Sequence, residues 1–192
     1  GNLQGYHLFY LKKYKNMACV LTSGRTEPCR DAIGGLKAIY LFDFKDDSFT
    51  ITAGEATAID AAVTEVFKYE LLADGNTLVE SFTADANNGT SIYEQVLTVA
   101  LKKQDKSTAS EVATIVKARP IAVVQSRDGK YKVVGISDGT VATGDIQSGG
   151  AKADFNGYNL TLTATEVLPA PTLDASTVTA LIALVSTTNI NP

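Results

Sequence analysis

Hydrophobic and polar positions alternate along much of this chain with the two-residue period of half-buried strands. The cleanest case is 157–167, where Tyr158, Leu160, Leu162 and Ala164 alternate with Asn159, Thr161, Thr163 and Thr165. One dry and one wet face are expected. Residues 91–103 set Tyr93, Gln95, Leu97, Val99 and Leu101 against a mixed opposite face, which predicts a long half-buried strand. Residues 37–44 and 48–52 predict a first strand pair, and 65–73 and 77–83 a second pair around Asp74-Gly75. Residues 121–125 and 131–136 flank the turn at 126–130. Asp74-Gly75, Asn88-Gly89, Asp128-Gly129, Asp138-Gly139 and Asn156-Gly157 all favour tight turns, the mark of antiparallel hairpins. A positive φ is expected at Gly157, so that Gly157→Val would strongly destabilise the chain.

Helical spacing appears at 108–118. Thr108 stands three residues before Glu111, the capping-box distance, and Val112, Ile115 and Val116 share one face. Pro120 stops further winding. Residues 174–186 read either as a second helix capped by Asp174 or, from their Thr and Val content, as a strand. The fold class is therefore mainly β with one or two short helices (α+β), an antiparallel β-sandwich or barrel with a packed helix.

Composition narrows the functional classes. The 192 residues, 45% hydrophobic and 20% charged, suffice for one domain with a sizeable core. With 17 Lys and Arg against 21 Asp and Glu the net charge is −4, which disfavours specific nucleic-acid binding. The apolar run 178–185 falls well short of the roughly 20 residues of a membrane helix, and no membrane partner is expected.

Candidate chemistry fails on spacing. Residues 144–152 (GDIQSGGAK) lack the Gly-Lys-Ser/Thr end of a phosphate loop and read as a flexible connection between strands. Residues 85–90 (DANNGT) begin like a calcium loop, but the glycine comes one residue early and Val96 stands where a glutamate should, so a turn is the better reading. Asp43, Asp46 and Asp47 fit a solvated turn better than an acid/base pair. The single histidine, His7, lies in an atypical leader and leaves no Ser-His-Asp or Cys-His system. Cys19 and Cys29 could form a local disulfide, remain two partly buried thiols, or supply half of a zinc site. No catalytic residue, cofactor or metal is expected.

Three segments carry a family resemblance. Residues 29–41 (CRDAIGGLKAIYL) hold Cys29, Asp31, Gly34 and Gly35 before the first strand; 119–139 hold the hairpin with Asp128 and Gly129; 154–173 hold Asn156, Gly157, Tyr158, the alternating threonines, Glu166, Pro169 and Pro171. Together the chain resembles virion structural proteins of tailed phages and prophages of Bacteroidetes-type hosts over about 19–173. Lys132 and Val133 depart from that pattern, where larger aromatics would stand, and so do the residues after Leu173. The resemblance implies a tail-tube-like subunit, non-enzymatic, whose copies form rings with one another and meet other virion proteins, assembled in the bacterial host cytoplasm. The competing expectation is a β-sandwich binding module that meets a protein or carbohydrate through the loops 85–90 and 139–150.

The lone internal Met17 marks an expected boundary. Residues 1–16 read as an N-terminal extension from a mis-called start, with Gly1 a tag residue; 17–173 as the β-rich domain; and 174–192 as a C-terminal tail. The alternative for the extension is a docking arm carrying Tyr6, Leu8, Tyr10, Leu11 and Tyr14.

Overall fold

The structure is a computed structural model that describes residue 21, residues 23–72 and residues 74–190. It divides into two units, 1–32 and 33–192. The described residues of the first unit are exposed and form no helix or strand. His7, Met17, Cys19 and the aromatic leader lie outside the described residues.

The second unit holds eleven strands and two helices among its described residues. In chain order these are β1 (Leu36–Phe42), β2 (Phe49–Thr52), β3 (Glu55–Ile59), β4 (Phe67–Glu70), β5 (Thr77–Asp85), β6 (Thr90–Lys102), α1 (Lys106–Lys117), β7 (Ile121–Ser126), β8 (Tyr131–Val134), β9 (Val141–Gln147), β10 (Gly157–Glu166), β11 (Thr172–Leu173) and α2 (Ala175–Ala183). The strands form a seven-stranded sheet, in the order β2-β3-β11-β8-β7-β1-β4, and a four-stranded sheet, β5-β6-β10-β9. The mainly β, α+β class expected from the alternation is what the chain adopts.

Two cores follow from the two faces of the larger sheet. A register shift between Leu36 and Ala38 sets Leu36, Ile39 and Leu41 on one face of β1 and Ala38, Tyr40 and Phe42 on the other. The first set, with Ala122, Val124 and Val134, packs on Leu97, Val99, Leu160, Leu162 and Ala164 of the smaller sheet, and Ile115 of α1 joins them. The second set, with Ile121, Val123 and Val133, packs under Val66, Leu173 and Leu181, the last from α2. Continuous apolar runs such as IAVV in β7 are what a strand covered on both sides requires. The residues after Leu173 thus complete the core: α2 is a helix, capped by the Asp174 carboxylate accepting from the Thr177 N–H, and Val66 bridges to Val185.

Several pairings differ from the sequence reading. β1 pairs with β4 and β7, not with β2, which pairs with β3 across a turn at Ala53-Gly54. Asp74-Gly75 does not close a hairpin. It carries the chain from β4 in one sheet to β5 in the other, while the Asn76 side chain bonds Leu72 O, Asp74 O and the Ala100 N–H. Sequence period cannot separate a hairpin from a crossing between sheets, because both need the same turn glycine. The helix begins earlier than the Thr108–Glu111 spacing indicates. Asp105 is the cap, accepting from the Ser107 and Thr108 N–H groups, and the Thr108 hydroxyl donates back to it.

Gly75, Gly89, Gly129 and Gly139 have positive φ, as their turns need. Gly157 does not. It opens β10, and it must be glycine for a different reason: a Cβ there would lie 2.1 Å from Leu101 O on β6.

Candidate functional site: the open edges of the four-stranded sheet

The smaller sheet buries one face, and none of the described side chains on its other face is buried. Its registers align Thr77, Thr98, Thr161 and Thr143 in one row across all four strands, with Val79, Val96, Thr163 and Val141 in the next. Thr, Val and Ser make this outer face because hydroxyls and β-branched carbons suit a pleated surface in contact with water. On the inner face, Glu80, Gln95 and Glu166 tie the sheet to two connections. They accept the N–H groups of Ala170 (3.0 Å), Gly135 (3.1 Å) and Ser137 (2.9 Å), respectively. Gln95 and Glu166 are buried, and Gln95 Nε2 has no partner among the described residues.

Among the described residues, both edges of this sheet lack a strand partner. β5 pairs only with β6 and β9 only with β10. Six of the seven residues of β9 are exposed, Val141 (64%) and Ile146 (62%) among them. On β5, Val79 is 53% and Phe82 77% exposed, with the Phe82 ring tilted by 40° beside that of Tyr93, 6.1 Å between centroids. Neither strand contains Lys or Pro, the residues that usually guard an edge. At one end of β9 the Gln104 side chain donates to Gln147 O (2.7 Å).

The β5–β6 hairpin outruns its neighbour. β10 accompanies β6 from Lys102 only to Tyr93, whereas β5 continues to Asp85 opposite Thr90. The turn beyond is fixed by Asp85, whose carboxylate accepts from the Asn87 (2.8 Å) and Asn88 (3.2 Å) N–H groups and from the Asn88 side chain (2.6 Å). Those bonds hold the Asp85 carboxyl below its ordinary pKa, the Asn88 N–H contributing most. The turn reading of 85–90 holds.

Beside β9 a groove of about 350 Å³ runs between α1 and the sheet, lined by Val112, Val116, Ile146, Tyr158 and Leu160 among others. A second hollow, about 520 Å³, opens near Glu55, Lys130, Tyr131 and Val178. Among the described residues no three His, Cys, Asp or Glu side chains converge as metal ligands, and no helix is long and apolar enough to cross a membrane.

The residues singled out by the family resemblance do not converge on one site. Cys29, Asp31 and Gly34 are exposed, and Cys29 is a free thiol whose suggested partner Cys19 lies outside the described residues. Gly35 has φ 95° just before β1. Asp128 and Gly129 shape the β7–β8 turn, Asp128 pairing with Lys130 (3.4 Å). Asn156 O accepts the Lys103 N–H, the Tyr158 hydroxyl reaches Asp105 O (3.2 Å), and Pro171 O accepts the Val133 N–H. Pro169 is exposed and Glu166 joins the polar seam. Gly35, Asp128, Gly129, Asn156, Tyr158, Glu166 and Pro171 are framework positions at strand ends, turns and the polar seam.

Sequence reasoning missed β3, β9 and β11. For β9 the signal was present: Ala142, Gly144 and Ile146 alternate with Val141, Thr143, Asp145 and Gln147, but glycine at the centre reads as loop. The two loops suggested for a binding module are one tight hairpin turn and one strand. No family model, curated protein or solved structure matches this chain.

Proposed function

We propose that this chain is a non-enzymatic structural subunit of the tail-tube kind, part of a virion assembled in a bacterial host, and that its copies join side by side through β5 and β9 into a closed ring. One observation carries the reading: among the described residues the four-stranded sheet ends in two open edges, free of Lys and Pro, that run in opposite directions. Because β5–β6, β6–β10 and β10–β9 are all antiparallel, β5 and β9 are antiparallel to each other. The β9 of one copy therefore meets the β5 of the next as another antiparallel pair, and the sheet continues unbroken. Such a head-to-tail contact is heterologous, and it closes when the rotation between copies divides a full turn. The family resemblance supplies the virion context, and the net charge of −4 suits a passage that lets nucleic acid through without gripping it.

Native mass spectrometry and electron microscopy of the purified protein test the reading. Rings of one copy number are expected. Strict monomers at high concentration, with neither ring nor filament on the grid, would overturn it.

A further inference from the structure

If copies join as proposed above, the sheet registers also fix how far each is displaced against the next. We infer that β9 pairs with the neighbour's β5 with Val141 opposite Thr83 and Gln147 opposite Thr77. The positions of both edges can be expressed on the β6 scale. Val141 aligns through Thr163 with Val96, and Gln147 through Gly157 with Lys102, so β9 spans levels 96–102. Thr77 aligns with Thr98 and Asp85 with Thr90, so β5 spans levels 90–98. Joined without displacement, the edges overlap only at levels 96–98, and most of both strands stays unpaired.

Three conditions select the displacement. It must be an even number of residues, since side chains alternate between faces and an odd slip would turn the wet face of one copy toward the buried face of the next. With four antiparallel strands per copy, an even slip also preserves the alternation of bonded and non-bonded pairs. It must be at least four, because a slip of two leaves the Ile146–Gln147 end of β9 beyond the start of β5, whereas four pairs all seven residues of β9.

Side-chain chemistry then separates four from six. A slip of four sets Ile146 against Leu78, Phe82 against the small Ala142, Thr143 against Ser81 and Val141 against Thr83, with Asp145 against Val79 its one pair of charge and apolar group. A slip of six makes two such pairs, Ile146 against the Glu80 carboxylate and Val141 against Asp85. Four residues of slip per four strands also matches the relation between stagger and strand number in closed barrels, whose strands tilt by roughly 35–45°.

On the β6 scale β5 begins four levels below the far end of its own copy's β9, and a slip of four brings the neighbour's β9 alongside Thr77 to Thr83.

Cysteine pairs test this in full-length protein carrying Cys19→Ser and Cys29→Ser, oxidised by copper phenanthroline. Thr83→Cys with Val141→Cys is expected to give a ladder of covalent oligomers on a non-reducing gel, since directly opposed Cβ atoms lie within disulfide reach. Thr83→Cys with Thr143→Cys reports the slip of six, and Ser81→Cys with Val141→Cys the slip of two; both are expected to stay monomeric on the gel. A ladder from either of these and not from the first overturns the register. Rings on the grid with no ladder from any pair overturn the register while leaving ring assembly standing. Monomers by native mass spectrometry remove both.

Discussion

The two sheets of this sandwich treat their edges and faces in opposite ways. The seven-stranded sheet is covered on both sides, and its edges are blunt. β2 and β4 have four residues each, β2 shifts register between Thr50 and Ile51, and β4 carries Lys68 paired with Glu70 (2.8 Å). The four-stranded sheet has one bare face and edges of nine and seven residues that hold no Lys or Pro. Short edges, lysines and register shifts are how a β protein stops unwanted strand addition. One sheet has these devices and the other lacks them, and this contrast locates the surface where another strand can be added.

The contrast can be broken from the covered side first. Leu181→Ala should cost about 2–5 kcal/mol in denaturant unfolding, because it empties a fully buried position between α2 and the larger sheet. On the bare face, Thr163→Val should change stability by no more than about 0.5 kcal/mol, as expected at a surface away from caps and cavities. Equal losses at the two positions would mean that the outer face is not bare.

Gly157→Val comes next, at about 1–3 kcal/mol, the usual cost of forcing extra atoms into filled space. The cause is the 2.1 Å approach to Leu101 O, so Gly157→Ala should lose stability as well. A left-handed φ would have required a different explanation; the chain is extended there. Glu166→Ala should cost about 1–3 kcal/mol by leaving the Ser137 N–H without its acceptor at a buried seam.

Titration separates the two sheets differently. Tyr40 on β1 and Tyr69 on β4 are both pushed up to about 12, mainly by burial, with Tyr131 adding to the first and the Glu111 charge to the second. Their neutral forms are favoured in the fold. The stability they contribute is complete below the ordinary value near 10 and falls as pH rises from there toward about 12. The carboxylates of Asp85, Asp105, Asp154 and Asp174 are lowered by hydrogen bonds they accept at turns and helix starts. Their contribution is complete above the ordinary carboxylate range and is lost as pH falls below about 4. A melting temperature flat between these limits and declining beyond both is the expected profile; in Tyr69→Phe the alkaline decline should weaken.

The smallest effect on folding should accompany the largest on assembly. Val79→Glu with Val141→Glu places negative charges on both open edges, the first of them opposite the neighbour's Asp145, and should leave monomer stability within about 0.5 kcal/mol. Light scattering should nonetheless find that the double variant no longer forms the wild-type oligomer.

How much of this was legible in the sequence depended on what each residue faced. β10, β6 and β7 could be read because alternation or continuous burial leaves a direct trace, whereas 174–186 stayed open between helix and strand because the Asp174 cap and the Thr and Val content point opposite ways. Strand partners could not be read. Asp74-Gly75 looks the same whether it returns the chain to its neighbour or delivers it to another sheet, and β11 has only two residues. The open edge β9 was hidden by Gly144, which sits against Asn159 O where a Cβ would lie 2.0 Å away. The candidate site was therefore the part least visible in advance, since an edge is defined by the partner it lacks.

Hydrogen exchange followed as a function of protein concentration tests the central claim most directly. Backbone amides in β5 and β9 should gain protection as the protein assembles, while those in β2 and β4 exchange at unchanged rates. Protection that stays constant in β5 and β9, or rises instead in β2 or β4, would contradict the account.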